Sequence, residues 1–224
     1  MATIHGIAGE WARVKGTVWG LWPLFLGVFC AGFSLALLLT VTAWGAVAFV
    51  LSLVYAAWSL MRGLRHVERY FKGARGEEKV SGILKTLPSA CHVFNDFVAG
   101  GSHVDHVVVG PARVFAVETK FWNGTVSLVE GRVLVNGQLP DRDPLQQVRR
   151  EAEHVREELQ RRGWCGAVTP VLTFASDTFE AGAADADGVV VLNSCQLRER
   201  LAFERVVIPS VELERLAGVM GTKI

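Results

Sequence analysis

Two acids and a lysine, Asp105, Glu118 and Lys120, are the residues whose types and spacing could do chemistry. Glu118 and Lys120 close the run ARVFAVETK. Alternate residues of a strand share a face, so the two project together while Thr119 points away. Asp105 lies in the preceding run, HVDHVVVG, and Gly110 with Pro111 predict a turn that folds the two runs antiparallel, with Asp105 level with Glu118. Two carboxylates so placed repel and lose hydration, at a cost of several kcal/mol unless a cation joins them. Lys120 supplies part of that charge and a divalent ion would supply the rest; ligands that are all oxygen favour Mg²⁺ or Mn²⁺ over zinc. The rival explanation is an exposed cross-strand salt bridge, which is common and contributes little. Against it stand VVV and VFAV, which suit a sheet covered on both faces, where a free surface ion pair has no place.

The elements that must hold these residues follow from periodicity. From Gly73 to Leu87, Val80, Ile83, Leu84 and Leu87 recur at helical spacing until Pro88 stops them; Glu77 falls on their side and Glu78 on the wet side. An inward carboxylate at a helix start is accounted for by dipole complementation or capping, or by a site. CHVFNDFV, HVDHVVVG and ARVFAVET read as strands broken at Gly100 with Gly101 and at Gly110 with Pro111. GTVSLVEGRVLVNGQ reads as a further hairpin turning at Glu130 and Gly131, so that the whole forms an antiparallel meander. Asp143 before Pro144 predicts a helix start, an N-cap with proline at the first helical position. That helix carries Leu145, Val148, Ala152, Val155 and Leu159 on one face, ends at Gly163, and pairs Arg149 with Glu153 and Glu157 with Arg161 on its solvated side. AVTPVLTFA and GVVVLN are apolar enough for central strands, and SCQLRERLAF and SVELERLAGVM read as closing helices. The order α, β-meander, α, β, α, β, α predicts an α/β domain with a mixed sheet and helices on both faces.

Upstream of this domain the composition breaks. From Thr17 to Met61 there is no Asp, Glu, Lys, Arg or His, a stretch of roughly 45 residues where one membrane span needs about 20. Two transmembrane helices joined by a very short turn near Thr40, Thr42 and Gly45 fit best; a cleaved signal peptide would be shorter, start earlier and end in a small-residue cleavage site. Pro23 falls in the first turns of the first span, and Trp19, Trp22, Trp44 and Trp58 near the span ends, where interfacial aromatics collect. Arg13 and Lys15 precede the hairpin and Arg62, Arg65, Arg69, Lys72 and Arg75 follow it, so both flanks are expected to be cytoplasmic. The basic cluster suits attraction to anionic lipid at about 1 kcal/mol per residue, or contact with nucleic-acid phosphate. A net charge of +1 decides nothing about a polyanionic partner. Cys30, Cys91, Cys165 and Cys195 are scattered without a CxxC pair, which argues against a disulfide framework or zinc knuckle.

Three further features suggest chemistry and are weaker. His103 shares the face of Asp105 and, with His106, could mark a transition-metal site; a strand-end histidine near acids is more often a hydrogen-bond partner. Trp122 could stack on a base or pack over the site entrance. The glycines and arginines from Gly73 to Gly76 lack the Gly-Lys-Ser/Thr of a phosphate-binding loop after a strand.

Four blocks, GARGEEKV, NDF, VDHVVVGPARVFAVETKFWNG and DPLQQVRREA, occur in this order and spacing, and together resemble the nuclease-related domain, NERD, of the PD-(D/E)XK nuclease superfamily. The resemblance runs from about Phe71 to Leu201. It implies a restriction-endonuclease-like fold and a metal-dependent phosphodiester hydrolase. Glu77 matches the glutamate of the helix motif, Asp105 the metal-binding aspartate, Glu118 and Lys120 the Glu-x-Lys pair, and Gln147 the glutamine of the following helix. Asp105 and Glu118 become ligands of Mg²⁺ or Mn²⁺ with the Thr119 carbonyl as a third; Glu77 orients a second ion or a water, and Gln147 positions the substrate or the lysine. Asp143 stands where the family often has asparagine, and Ala112 and Arg113 where a glycine commonly follows the proline.

The expected organisation is a cytoplasmic segment over 1–16, a transmembrane hairpin over 17–61, a basic juxtamembrane linker over 62–72, the nuclease-like domain over 73–205 and a C-terminal helix over 206–224. The function expected is that of a cell-membrane-anchored, cytoplasm-facing nuclease with nucleic acid as partner, DNA ahead of RNA. The alternative is a non-catalytic module at the membrane that binds nucleic acid or protein through the same cleft.

Overall fold

The computed structural model describes residues 1–40, 43–202 and 208–221. They fall into two compact units, Glu10–Ala74 and Met1–Gly9 with Arg75–Ile224.

The first unit is a helical hairpin. Helix α1 is Glu10–Thr40, and helix α2, Ala43–Leu84, begins in this unit. Contacts of Gly20 with Val67, Gly27 with Ala56 and Leu38 with Gly45 run in opposite chain order, so the helices pack antiparallel. Both are long and apolar enough to cross a membrane, and only 17% of each apolar stretch is buried, unlike the core helix of a soluble domain. The expected turn at Thr40 and Thr42 involves residues 41–42, which lie outside the described residues. Two boundaries differ from expectation. Residues 62–72 are not a separate linker but part of α2, because a change from apolar to Arg, Lys and Glu alters the solvent a helix prefers without breaking it. Pro23 lies well inside α1 and not in its first turns, because helix formers from Glu10 to Lys15 start the helix earlier.

The second unit is built on a seven-stranded mixed sheet. Its strands are β1 (Thr3–His5), β2 (His92–Ala99), β3 (Ser102–Val109), β4 (Val114–Lys120), β7 (Val168–Phe174), β8 (Ala183–Ala186) and β9 (Val189–Asn193). The spatial order is β1-β2-β3-β4-β7-β9-β8. Strands β2, β3 and β4 form the expected antiparallel meander; β4, β7 and β9 are parallel, and β1 lies parallel to β2 at one edge. Helix α3 (Pro144–Arg161) covers one face, where Ala152, Val155 and Leu159 meet Val107, Val109, Val114 and Ala116. Val80 and Leu84 of α2 cover the other with Leu197 of α4 (Ser194–Ala202), against Val93, Val108, Phe115 and Val117. Helix α5 (Ser210–Gly221) adds Leu213 and Leu216 to the α3 side.

Several elements differ from the expected pattern. Strands β5 (Val126–Val129) and β6 (Arg132–Val135) leave the meander and pair as a separate ribbon, pinned when Val126 and Val133 join a third cluster with Leu145, Val148, Leu172 and Phe174. Edge strands β1 and β8 were not legible, being short and without apolar alternation. Among the described residues no helix separates β7 from β9; turns and β8 do. On α3, Glu153 pairs with Arg156 and Glu158 with Arg161 and Arg162, in place of the predicted partners, while Arg149 reaches Asp187. Neighbours three apart satisfy these charges as readily as those four apart.

Candidate active site

Pairing of β3 with β4 brings the two acids together. His106 is registered opposite Val117, and one step further sets Asp105 opposite Glu118. Alternation places both on the face covered by α3, with Val107 and Ala116 as their packed neighbours on the same strands. Asp105 Oδ2 accepts the backbone N–H of Thr119 at 2.8 Å, so the Thr119 peptide adjoins the acids although its side chain takes the other face. Lys120 Nζ donates to Glu118 Oε1 at 2.6 Å and to Gln147 Oε1 at 2.9 Å. Gln147 spends its two amide hydrogens on Glu118 Oε1 and Glu151 Oε1, each at 2.8 Å. Its aim is set locally: Asp143 Oδ1 accepts from Leu145 N at 2.9 Å and from Gln146 N at 3.4 Å, capping the turn that carries Gln147 over β4.

Glu77 enters from α2, on the opposite side of the sheet. Its carboxyl is pushed up to about 7, first by burial and then by Asp96 and Glu118, against the Gly9 backbone N–H and Lys120, which favour the anion. Burial, then Glu118 and Glu77, also hold Asp105 well above the usual carboxylate range, despite the Thr119 N–H and Lys120. Burial opposes the charge on Lys120, but Glu118, Asp105 and Glu151 outweigh it and raise the ammonium pKa. The ion pair that forms joins Lys120 to Glu118 within β4 and does not cross strands, and with a mostly buried lysine and a buried glutamate it is not a surface pair of small consequence.

Glu151 is a site residue that the local sequence pattern alone does not mark. It lies one turn beyond Gln147 and only 6% exposed; burial and then Glu118 push its carboxyl up to about 9. Its Oε2 is buried without a hydrogen-bond partner among the described residues. The available signal was a charged residue flanked by Val148, Ala152 and Val155, but its meaning depends on Glu118 standing opposite. Asp96, within the NDF block, is the other omission: the register sets it opposite Asp105, between the pairs Asn95↔His106 and Phe97↔Val104, with φ 51°.

His106 takes the face opposite Asp105 and is fully buried, with Nδ1 and Asn95 Oδ1 2.7 Å apart; burial lowers its pKa to about 3 and keeps the ring neutral. Trp122 is half-buried against Phe174, ring centroids 5.7 Å apart, on the wall of a cleft of about 740 Å³ that also includes Lys120, Asn136, Leu139 and Arg142. A second cleft of about 580 Å³, lined by Ser102, Arg150 and His154, shares Arg142 and Gln147 with the first. Lys120 and Gln147, both hydrogen-bonded to Glu118, thus border a groove with arginines on its rim. Among the described residues no three His, Cys, Asp or Glu side chains stand ready as a metal cage. What the geometry supplies is a pair of apposed carboxylates, a peptide group, a lysine and an amide that ties them together.

Residues 72–175 match the family model of the nuclease-related domain. Neither a curated protein nor a solved structure matches the chain. The matched span includes Glu77, Asp105, Glu118, Lys120, Gln147 and Glu151, and omits β1, β8, β9 and the last two helices. The chain therefore carries a nuclease-related domain, NERD, over residues 72–175.

Proposed function

We propose that the protein is a membrane-anchored nuclease that hydrolyses phosphodiester bonds of DNA with Mg²⁺ or Mn²⁺ as cofactor. The observation that carries this reading is the convergence of Asp105, Glu118, Lys120 and Gln147, the last two lining a groove, in a nuclease-related domain. The residues fit a hard divalent ion. Their donors are oxygens, and Mg²⁺ keeps several waters and needs only one or two carboxylates, so the lack of a three-acid cage is no obstacle. The carboxyl pKa values at Glu77, Asp105 and Glu151 are raised first by burial and then by neighbouring acids, a repulsion that a cation would relieve, and the buried Glu151 Oε2 offers a further polar atom to the ion's waters. Asp105, Glu118 and the Thr119 carbonyl would hold the ion, and Glu77 would orient a second ion or a water. When bound, Mg²⁺ supplies charge stabilisation at a phosphodiester oxygen and a more acidic water.

The protein's own groups do the rest. Lys120 holds the attacking water and offsets charge gathered on the phosphate, and its raised pKa keeps it an ammonium for that task. Gln147 fixes Lys120 and Glu118 relative to each other. Arg142 and Arg150 on the groove rim take the flanking phosphates. Helices α1 and α2 would supply the anchor, and positive flanks on both sides of the hairpin favour a catalytic unit that faces the cytoplasm.

A binding module without catalysis has one observation in its favour: Lys120 Nζ is already engaged by Glu118 and Gln147. Metal-dependent cleavage of plasmid DNA by the purified chain, lost in Asp105→Ala and Lys120→Ala, is expected. Activity that ignores chelators or survives both substitutions sinks the nuclease reading; Mn²⁺ binding without cleavage leaves the module.

A further inference from the structure

The helical hairpin holds a pocket of about 330 Å³ at the level where the apolar run ends. Its α1 wall is Trp19, Gly20 and Pro23; its α2 wall carries Trp58, Arg62 and Arg69. No carboxylate lines it, and among the described residues none is ion-paired to Arg62 or Arg69.

Three features give it the chemistry of a phospholipid headgroup site. Met61 is the last residue of the uncharged stretch and Arg62 the first charge, so the pocket straddles the change from apolar to aqueous composition. Arg62 lies over the Trp58 ring, 5.2 Å from its centroid, which holds the guanidinium flat beside an aromatic wall. Pro23 has no N–H, so the carbonyl of Trp19, a residue that lines the pocket, loses its helical donor and can accept a hydroxyl. Glycines in the pocket wall let the two backbones close up, since a Cβ on Gly63 would overlap Gly20 O, and Trp19, Tyr55 and Trp58 line the space beside them. Below it, the exposed Phe25, Leu26, Leu51 and Val54 suit acyl chains.

We infer that this pocket binds one anionic phospholipid, its phosphate on Arg62 and Arg69, its glycerol hydroxyls toward the Trp19 carbonyl and its chains along the hairpin. The inference rests on the membrane reading and goes beyond generic attraction of a basic segment to a charged surface, since it selects two arginines of the cluster and leaves out Arg65.

The test is native mass spectrometry of the full chain in detergent, titrated with phosphatidylglycerol, phosphatidylcholine and glycerol phosphate. One phosphatidylglycerol per chain is expected, bound at least tenfold more tightly than either competitor. Arg62→Lys keeps the charge but loses the planar fork and the ring contact, and is expected to weaken binding at least tenfold, as is Arg69→Gln. Arg65→Gln removes equal charge away from the pocket and should cost no more than about fivefold, the share of one surface charge. Arg69 is exposed, so its variant carries the test should Arg62→Lys not fold. Equal losses at Arg65 and Arg69, no preference over phosphatidylcholine, tighter binding of glycerol phosphate, or displacement of the lipid by DNA would each overturn the pocket. Flotation with phosphatidylcholine vesicles separates the two readings: a chain that floats without preferring phosphatidylglycerol loses only the pocket, and one that does not float loses the membrane anchor as well.

Discussion

Glu151→Gln is the substitution that most directly tests the electrostatics of the site. Glutamine keeps the shape of the side chain and the Oε1 acceptor that Gln147 uses, but cannot ionise. The native carboxyl sits at about 9 against an ordinary 4.5, because it is buried beside Glu118. A raised carboxyl pKa means that the folded state holds the proton more tightly than the unfolded chain does. Its stabilising effect is therefore complete below 4.5 and is lost as pH rises toward 9. At about 1.4 kcal/mol per pH unit, the loss is on the order of 3 kcal/mol by pH 7 and twice that by pH 9. Melting of the sheet domain within the full chain, in detergent with a chelator, reads this as a function of pH. The native protein is expected to lose stability steadily from pH 5 to 9 relative to the Glu151→Gln variant. Saturating Mg²⁺ should flatten the difference, because it offsets the charge of Glu118 that helps raise the pKa. Parallel stability curves for the two proteins would refute the reasoning, since they would mean that Glu151 titrates alike in both states.

Glu77→Gln is expected to act over a lower window: with a native pKa of about 7, the penalty grows from pH 4.5 to 7 and then levels, so the variant should match the native protein at pH 4.5 and exceed it in melting temperature at pH 8 without metal. Replacing both Arg142 and Arg150 by glutamine should weaken DNA binding uniformly across sequences and reduce the slope of log affinity against log salt by about 2, measured by fluorescence anisotropy. An unchanged slope would remove the groove from the DNA path. Gly27→Cys with Ala56→Cys, in a Cys30→Ser background, should form a disulfide on mild oxidation, because a Cβ at position 27 would lie 3.0 Å from that of Ala56, near disulfide range. Failure to cross-link within one chain would contradict the hairpin.

What could be read from the sequence was whatever follows from local pattern. Alternation in HVDHVVVG and ARVFAVETK set the strands, the turn at Gly110 and Pro111 set their register, and together these place Asp105 opposite Glu118. Asp143 and Pro144 announced α3, and the stripe of Val80 and Leu84 put Glu77 on an inward face. The uncharged stretch from Thr17 to Met61 announced two long apolar helices by length alone. Edge strands β1 and β8 were hidden, because a strand paired on one side and largely wet needs no alternation.

The tertiary structure decided what the charges mean. Spacing alone could not separate a surface salt bridge from a buried one, since that depends on α3 covering β4 and burying Glu118. Nor could it find Glu151, which in sequence is one more helical glutamate and becomes a carboxyl near pH 9 only because it is buried and Glu118 meets it from a strand some 30 residues back in the chain. Gly9 is the extreme case: a residue before the first long helix, outside the matched domain, whose N–H reaches Glu77 because β1 pairs with β2. A sequence determines which residues repeat along an element, but the dielectric and the partners that set a side chain's charge come from segments distant in the chain, and only the fold brings them into contact.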